Sequence, residues 1–339
     1  MEFLYDLGLF TVKAIIIVGA VTAVLILLAQ LFSPGRSRQH PQIEVEKLNT
    51  RFRSLRRQLN RHLLSKKGFK NLVKQEKKGE KKSSEPKETR VFVLEFQGDI
   101  RASAVESLRE EITALLTVAK SGDEVVVRLE SGGGLVTSYG LASSQLERLK
   151  AHGLRLTVCV DKIAASGGYM MACVADRILA APFAVLGSIG VIAQVPNFNK
   201  VLKKNDVDYR EVTAGEFKRT VTVFGEITEP GLQKFRAQIE ETHGLFKNFV
   251  ANHRPQVDLA RVATGEHWYG TQAKELGLVD DLITSDEYLY RYFDIADVYK
   301  LEYKAPKRLR DRLSSSVATL AGELANRAWT ELDRRRIDY

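Results

Sequence analysis

EVVVRLESGGGL, residues 124–135, carries three consecutive valines and a leucine directly into three consecutive glycines. A short valine-rich run bounded by glycine predicts a buried strand. The glycines that end it can expose backbone N–H groups at close range, because no Cβ stands in the way. Such a turn either receives a developing oxyanion or is a plain flexible connection, and a P-loop is excluded because no Gly-Lys-Ser/Thr follows. On either side the same alternation continues. VFVLEF (91–96), a helical stretch around Ser103 to Ala119, a helix at about Ser138 to Lys150 and the strand LRLTVCV (154–160) surround it. A short helix after Ser166, the apolar RILAAP (177–182) and a long helix over Thr228 to Asn252 extend it. Strands alternating with helical periods predict an α/β fold, which places ligands at the turns that follow its strands.

The composition is that of a globular chain, with 44% hydrophobic and 27% charged residues among 339. Two cysteines exclude a disulfide scaffold and any multi-Cys zinc module, so no metal or other cofactor is expected. Cys159 and Cys173 read as small buried hydrophobes. The net charge of +9 is local: Arg36 to Arg90 holds 18 Lys+Arg against 6 Asp+Glu, and the remainder of the chain sums to −3. A basic stretch confined to one segment beside an apolar run predicts contact with anionic lipid, and no nucleic-acid partner. That apolar run, Ala14 to Phe32, has only Thr22 and Gln30 as polar residues and predicts one transmembrane helix. Leu48, Phe52, Leu55, Leu59 and Leu63 then form a narrow helical stripe that predicts a short coiled coil or a membrane-surface helix. The expected organisation is an anchor over 1–33, a basic tether over 34–90, a folded α/β domain over 91–306 and a basic helical tail over 307–339.

A second turn, VDKIAASGGYMMA (160–172), sets Ser166 after a strand and just before Gly167 and Gly168, at a helix start. A serine there is exposed to the field of the helix N-terminus and can act as a nucleophile; equally it can be a helix N-cap. A nucleophile needs a base. His40 and His62 lie in the tether and His243 and His253 in or beside the long helix, while His152 and His267 stay open. A lysine serves if burial disfavours its charged form. Lys218, in TAGEFKRT (213–220), and Lys162 are the two candidates, and spacing does not choose between them.

Together, LESGGG, ASGGYMMACVAD, GSIGV, PNFNK, TAGEFKRT and ATGEHWYG resemble the membrane-anchored serine peptidases related to signal peptide peptidase A. The resemblance implies that Ser166 is the nucleophile and Lys218 the general base, 52 residues apart. It implies that Ser188, in GSIGV, orients the lysine amine, and that Gly133 supplies an oxyanion N–H with Gly167 as second donor. It further implies a ClpP/crotonase-like fold of repeated ββα units, a homo-oligomeric ring whose neighbouring subunits complete the active sites, and apolar, unfolded or membrane-derived peptides as substrates. Its implied location is the bacterial inner membrane; the family places the catalytic domain outside the cytoplasm, whereas the charge flanking the apolar run places it inside. One departure stands at the oxyanion turn, where Gly132 occupies the position of the family's proline. A catalytically weak or inactive membrane scaffold, and an acyl-thioester hydrolase or hydratase of crotonase-like fold, are the alternative functions.

Overall fold

A computed structural model describes residues 42–82 and 89–305, with Phe10, Lys13, Ala14, Ile17, Val18, Gly19 and Val21. The chain divides into two compact units, Ile43–Lys304 and Met1–Gln42 with Ala305–Tyr339. The expected tail over 307–339 lies outside the described residues.

In the larger unit the valine-rich runs become strands of one ten-stranded sheet. Its main path is β1 (Gln42–Lys47), β10 (Asp297–Lys304), β2 (Arg90–Gly98), β3 (Glu124–Ser131), β4 (Arg155–Val160), β6 (Arg177–Ala180) and β9 (Asp281–Leu282). From β10 to β9 every pair is parallel. A parallel sheet covered on both faces has strands that are apolar without interruption, and Val91, Phe92, Val93, Leu94 and Phe96 of β2 are all buried. Their alternation splits them between two cores. Phe92, Leu94 and Phe96 pack with Leu108, Ile112, Leu146 and Leu149 from α3 (Val105–Leu116) and α4 (Val136–Ala151). Val91 and Val93 face Leu48 of α1 (Leu48–Leu63) and Tyr288 and Leu289 of α10 (Ser285–Arg291).

A short branch leaves this path and carries the candidate site. β5 (Ile163–Ala165) pairs in parallel with the end of β3 through Ser131↔Ala164, and with β7 (Val185–Gly187) through Ala165↔Gly187. β7 pairs antiparallel with β8 (His267–Tyr269). β5 ends at the helix α5 (Gly167–Ala172), and the long helix α7 (Glu229–His253) adds Phe246 and Val250 to the first core. α2 (Lys66–Lys82), α6 (Asn199–Lys204), α8 (Leu259–Val262) and α9 (Gly270–Glu275) fill the remaining connections. Cys159 and Cys173 are free and buried, and burial pushes both thiols far above their usual range.

The segment over 34–90 is partly built into this unit. Leu48 and Phe52, the first two members of the apolar stripe, sit against the second core, while Leu55, Leu59 and Leu63 are exposed. Between the two buried residues lies Asn49, whose amide satisfies three backbone groups at once. Its Nδ2 donates to the carbonyls of Phe293 and Ala296, each at 2.9 Å, and its Oδ1 accepts from the Val298 N–H at 2.8 Å. A buried amide with its partners supplied specifies one docking geometry.

Among the described residues no helix is long and apolar enough to cross a membrane, which corrects the expected anchor at Ala14 to Phe32. A span needs about 20 apolar residues in one unbroken helix, and an apolar run fixes composition without fixing helix length. Most of that run lies outside the described residues; its described helical positions, Ala14, Ile17, Val18, Gly19 and Val21, do not make a span. The 25-residue α7 is amphipathic and too charged, with Lys234, Arg236, Glu240, Glu241 and Lys247 along it. The lipid partner at residues 14–32 and the basic tether, the single-pass inner-membrane location and the membrane-anchored part of the function all depended on that helix and are withdrawn with it.

One buried carboxyl makes the fold sensitive to pH. Glu111 of α3 accepts from the Tyr303 N–H of β10 at 2.9 Å through Oε1, while its buried Oε2 has no partner among the described residues. Desolvation raises it from 4.5 to about 7, against the Tyr303 N–H and with help from Glu302 and Glu95. A group raised in the folded state stabilises fully below its unfolded value and loses that contribution as pH rises through the folded one. Stability from Glu111 is therefore lost between about pH 4.5 and 7, by roughly 2–3 kcal/mol. Glu111→Gln should unfold in urea at a higher midpoint than the native chain at pH 8 and at the same midpoint at pH 4; an equal gap at both pH values would remove the assignment.

Candidate active site

Four turns meet at one cleft. β3 ends in Ser131 and opens into Gly132, Gly133 and Gly134. Gly133 has φ +88, and a Cβ on it would lie 2.7 Å from the Gly167 nitrogen, 2.8 Å from the Ala165 oxygen and 2.8 Å from the Ser166 Cβ. Only glycine lets this turn lie directly over Ser166. The turn is tied down by the Leu135 N–H, which donates to the Ile100 carbonyl at 2.8 Å.

Ser166 stands between β5 and α5 at φ 53, ψ −119, a conformation that costs a non-glycine residue about 1–3 kcal/mol. It is held there from both sides: its N–H donates to the Gly187 carbonyl at 2.8 Å and its carbonyl accepts from the Met170 N–H at 2.9 Å. It occupies the N-cap position, yet its side chain caps nothing and its hydroxyl makes no hydrogen bond among the described residues. The N-cap explanation for a serine here therefore fails. The backbone is strained to present a free hydroxyl, half-buried in the cleft wall.

Because β5 and β7 are in register, Ser188 follows β7 beside Ser166. It too has a positive φ, 51, and its N–H donates to the Glu266 carbonyl at 2.7 Å. Its hydroxyl donates to the Gly265 carbonyl at 3.3 Å, not to an amine. Gly132, Gly133, Gly134, Ser166, Ser188 and Ile192 line an open cleft of about 590 Å³, closed on its far side by Thr264 and Gly265. Gly167, directly after Ser166, is buried beside it. As the first residue of α5 it has a backbone N–H without an acceptor among the described residues, and a Cβ there would strike the Tyr139 ring at 2.4 Å.

The predicted residues do not all converge. Ser166, Ser188, Gly133 and Gly167 come together, but Lys218 does not line the cleft. It lies on the irregular segment 205–228, where its N–H closes a turn onto the Gly215 carbonyl at 3.1 Å and its side chain is exposed. Lys162, the other candidate, is exposed and paired with Glu130 at 3.0 Å. The cleft does hold a histidine that no sequence signal selects: His243 of α7, whose Nε2 is 3.2 Å from the Ile189 carbonyl. Nothing local marks it, since its place depends on how α7 crosses a segment more than 50 residues away. Among the described residues no group of His, Cys, Asp and Glu could hold a metal ion. The arrangement suits acyl transfer: an unbonded hydroxyl, a free N–H at a helix start and a glycine turn surround one point.

Comparison with known proteins supports that chemistry. Residues 2–146 match the family model "Peptidase family S49 N-terminal" and residues 148–298 match "Peptidase family S49". The chain is 55% identical over 258 residues to the probable protease SohB of Haemophilus influenzae, covering 76% of this chain and 73% of that protein. It is 39% identical over 323 residues to the putative protease SohB of Buchnera aphidicola subsp. Baizongia pistaciae, covering 89% and 92%. Among solved structures it resembles the 1510-N membrane-bound stomatin-specific protease in complex with a substrate peptide. That likeness has a TM-score of 0.41 at 13% identity and covers 68% of this chain and 97% of that one.

Proposed function

The chain belongs to peptidase family S49 and is a serine-type endopeptidase of the Ser/Lys dyad kind, and from that premise we propose that Ser166 is its nucleophile and Lys218 its general base. The observation that carries the first assignment is the strained Ser166 backbone with an uncapped, unbonded hydroxyl. Ser166 Oγ attacks the scissile carbonyl carbon while its proton passes to the Lys218 amine. The resulting oxyanion is received by the N–H of Gly167, which has no competing acceptor among the described residues, and by that of Gly133. The Gly133 N–H already donates to Ser131 Oγ at 3.1 Å, a length at which a hydrogen can be shared between two acceptors. The intermediate collapses as the leaving amine takes the proton back from Lys218. Water, deprotonated by the same amine, then hydrolyses the acyl-enzyme. Endopeptidase activity replaces the scaffold and acyl-thioester readings of the sequence.

Unfolded apolar peptides are the proposed substrates. Ile192 in the cleft is 78% exposed, and Ile100 and Leu135, which flank the glycine turn, are 72% and 52% exposed. Exposed apolar side chains grouped about a nucleophile favour apolar side chains on either side of the scissile bond. No lysine lines the cleft described above, so a lysine base comes from outside it. Lys218 is proposed to reach a Ser166 cleft when copies of the chain assemble, with Ser188 taking up the amine there. Cleavage of a quenched, unstructured apolar peptide, compared between the native chain and its Ser166 and Lys218 variants, is the direct test.

Gly132 lends itself to a separate test. Its φ lies outside the left-handed region, and a Cβ on it would meet nothing nearer than Ile163 Cδ1 at 3.8 Å. Proline at 132 removes backbone freedom from the turn, an effect of about 0.4–1 kcal/mol at a compatible site. Gly132→Pro should raise folding stability by about 0.4–1 kcal/mol and should raise kcat; a kcat at or below the native value would show that the glycine does not limit the turn's order.

A further inference from the structure

Two hydroxyl-bearing residues lie under the oxyanion turn. Ser131 is 2% exposed and Tyr139 is fully buried. Their hydroxyls form a relay. The Gly133 N–H donates to Ser131 Oγ at 3.1 Å, Ser131 Oγ and Tyr139 Oη are 2.6 Å apart, and Tyr139 Oη donates to the Asp99 carbonyl at 2.7 Å. Each hydroxyl carries one hydrogen. With the tyrosine hydrogen committed to Asp99, the serine hydrogen must point to Tyr139, which leaves the serine lone pairs facing Gly133. The direction of the relay is thus fixed from end to end. Its far end is anchored as well, since the Asp99 carboxylate accepts from the Arg101 and Ser103 N–H groups and from the Ser103 hydroxyl.

Three glycines make room for this pair. A Cβ on Gly98, opposite Ser131 in the β2–β3 register, would lie 2.4 Å from Tyr139 Oη and 2.5 Å from Ser131 Oγ. On Gly167 it would strike the Tyr139 ring, and on Gly168 it would lie 2.5 Å from the Ser131 carbonyl oxygen. A plain turn needs none of this. The peptide between Gly132 and Gly133 does need a holder, because neither flanking residue has a Cβ to restrict its rotation. Among the described residues, the Gly133 N–H donates to Ser131 alone.

We propose that Ser131 and Tyr139 are positioning residues for the oxyanion turn: their hydroxyl relay fixes the rotation of the Gly132–Gly133 peptide, and so the direction of the Gly133 N–H beside Ser166. This rests on the reading of Ser166 as nucleophile. Neither side chain touches the reacting atoms, so the effect is confined to states in which the carbonyl oxygen bears charge.

The test uses the full chain with Ser131→Ala and Tyr139→Phe, the second keeping the ring that fills the space under Gly167. The readouts are kcat and KM on a quenched apolar peptide, and inhibition by a peptidyl aldehyde of the same sequence, whose adduct with a serine carries an oxyanion. Both variants should lose about 10- to 100-fold in kcat, with KM within about twofold of native and aldehyde affinity weakened by the same factor as kcat. Native kcat and aldehyde affinity in Ser131→Ala would overturn the proposal. So would a loss in which KM and aldehyde affinity weaken equally, because that is general disorder of the cleft. Ser166→Ala separates the two levels of inference. If it retains activity, the nucleophile assignment fails; if it is inactive while Ser131→Ala matches native, only the relay fails.

Discussion

Ser166→Ala should leave the chain folded and remove peptide hydrolysis, lowering kcat by about four orders of magnitude or more. The size of the effect is that of losing the proposed nucleophile; the residual rate is what backbone N–H groups and binding supply without one. That folding survives follows from the same local structure. The Ser166 hydroxyl caps no helix and makes no hydrogen bond among the described residues, so its removal strands no partner there and the unfolding midpoint should not move. The strain lies in the backbone, at φ 53, and alanine pays the same cost as serine there. Ser166→Gly should therefore be more stable than native by about 1 kcal/mol while equally inactive. A serine kept where glycine would be more stable indicates that the position is held for chemistry. Native turnover in Ser166→Ala would sink the nucleophile assignment, and a Gly variant no more stable than native would sink the account of strain.

Local chemistry made much of this site legible. β2, β3 and β4 are legible as β-branched runs because parallel strands covered on both faces cannot afford polar interruptions. Four of the glycines, Gly133, Gly134, Gly167 and Gly168, mark close approach of backbone: Gly133 lies on Ser166, Gly134 on Ile100, Gly167 on Tyr139 and Gly168 on Ser131. What stayed hidden depends on contacts between distant residues. β5, β7 and β8 have three residues each, too few for a periodic signal, yet they bring Ser188 beside Ser166. Asn49 is an unremarkable polar residue in a basic helix until Phe293, Ala296 and Val298 are placed around it. The anchor expected at 14–32 is a different case: hydropathy counts residues, and among the described residues no helix is long and apolar enough to cross a membrane. Lys218 is the most instructive case, since the family motif selects it and the fold of a single chain leaves it exposed and outside the cleft.

Lys218→Ala should be as inactive as Ser166→Ala, and Lys218→Arg no better. The arginine variant keeps the positive charge but cannot act as a base, because a guanidinium does not deprotonate in proteins. Retained activity in Lys218→Arg would mean that the lysine contributes charge and not proton transfer. A lysine accepts a proton near neutrality only where burial disfavours its charged form, and within one chain the Lys218 side chain is in solvent. Assembly resolves this if the lysine of one copy enters the cleft of the next, a heterologous contact that closes into a ring. The consequence is complementation between two dead variants. After equal amounts of Ser166→Ala and Lys218→Ala chains are unfolded and refolded together, a site is whole when its serine comes from the second variant and its lysine from the first. Random mixing makes about a quarter of all sites whole in such a ring, so the mixture should recover about a quarter of the native kcat per chain. If the dyad closed within a single chain, every chain in the mixture would lack one member and no activity would return. That result would remove the assembled site while leaving Ser166 and Lys218 as the dyad.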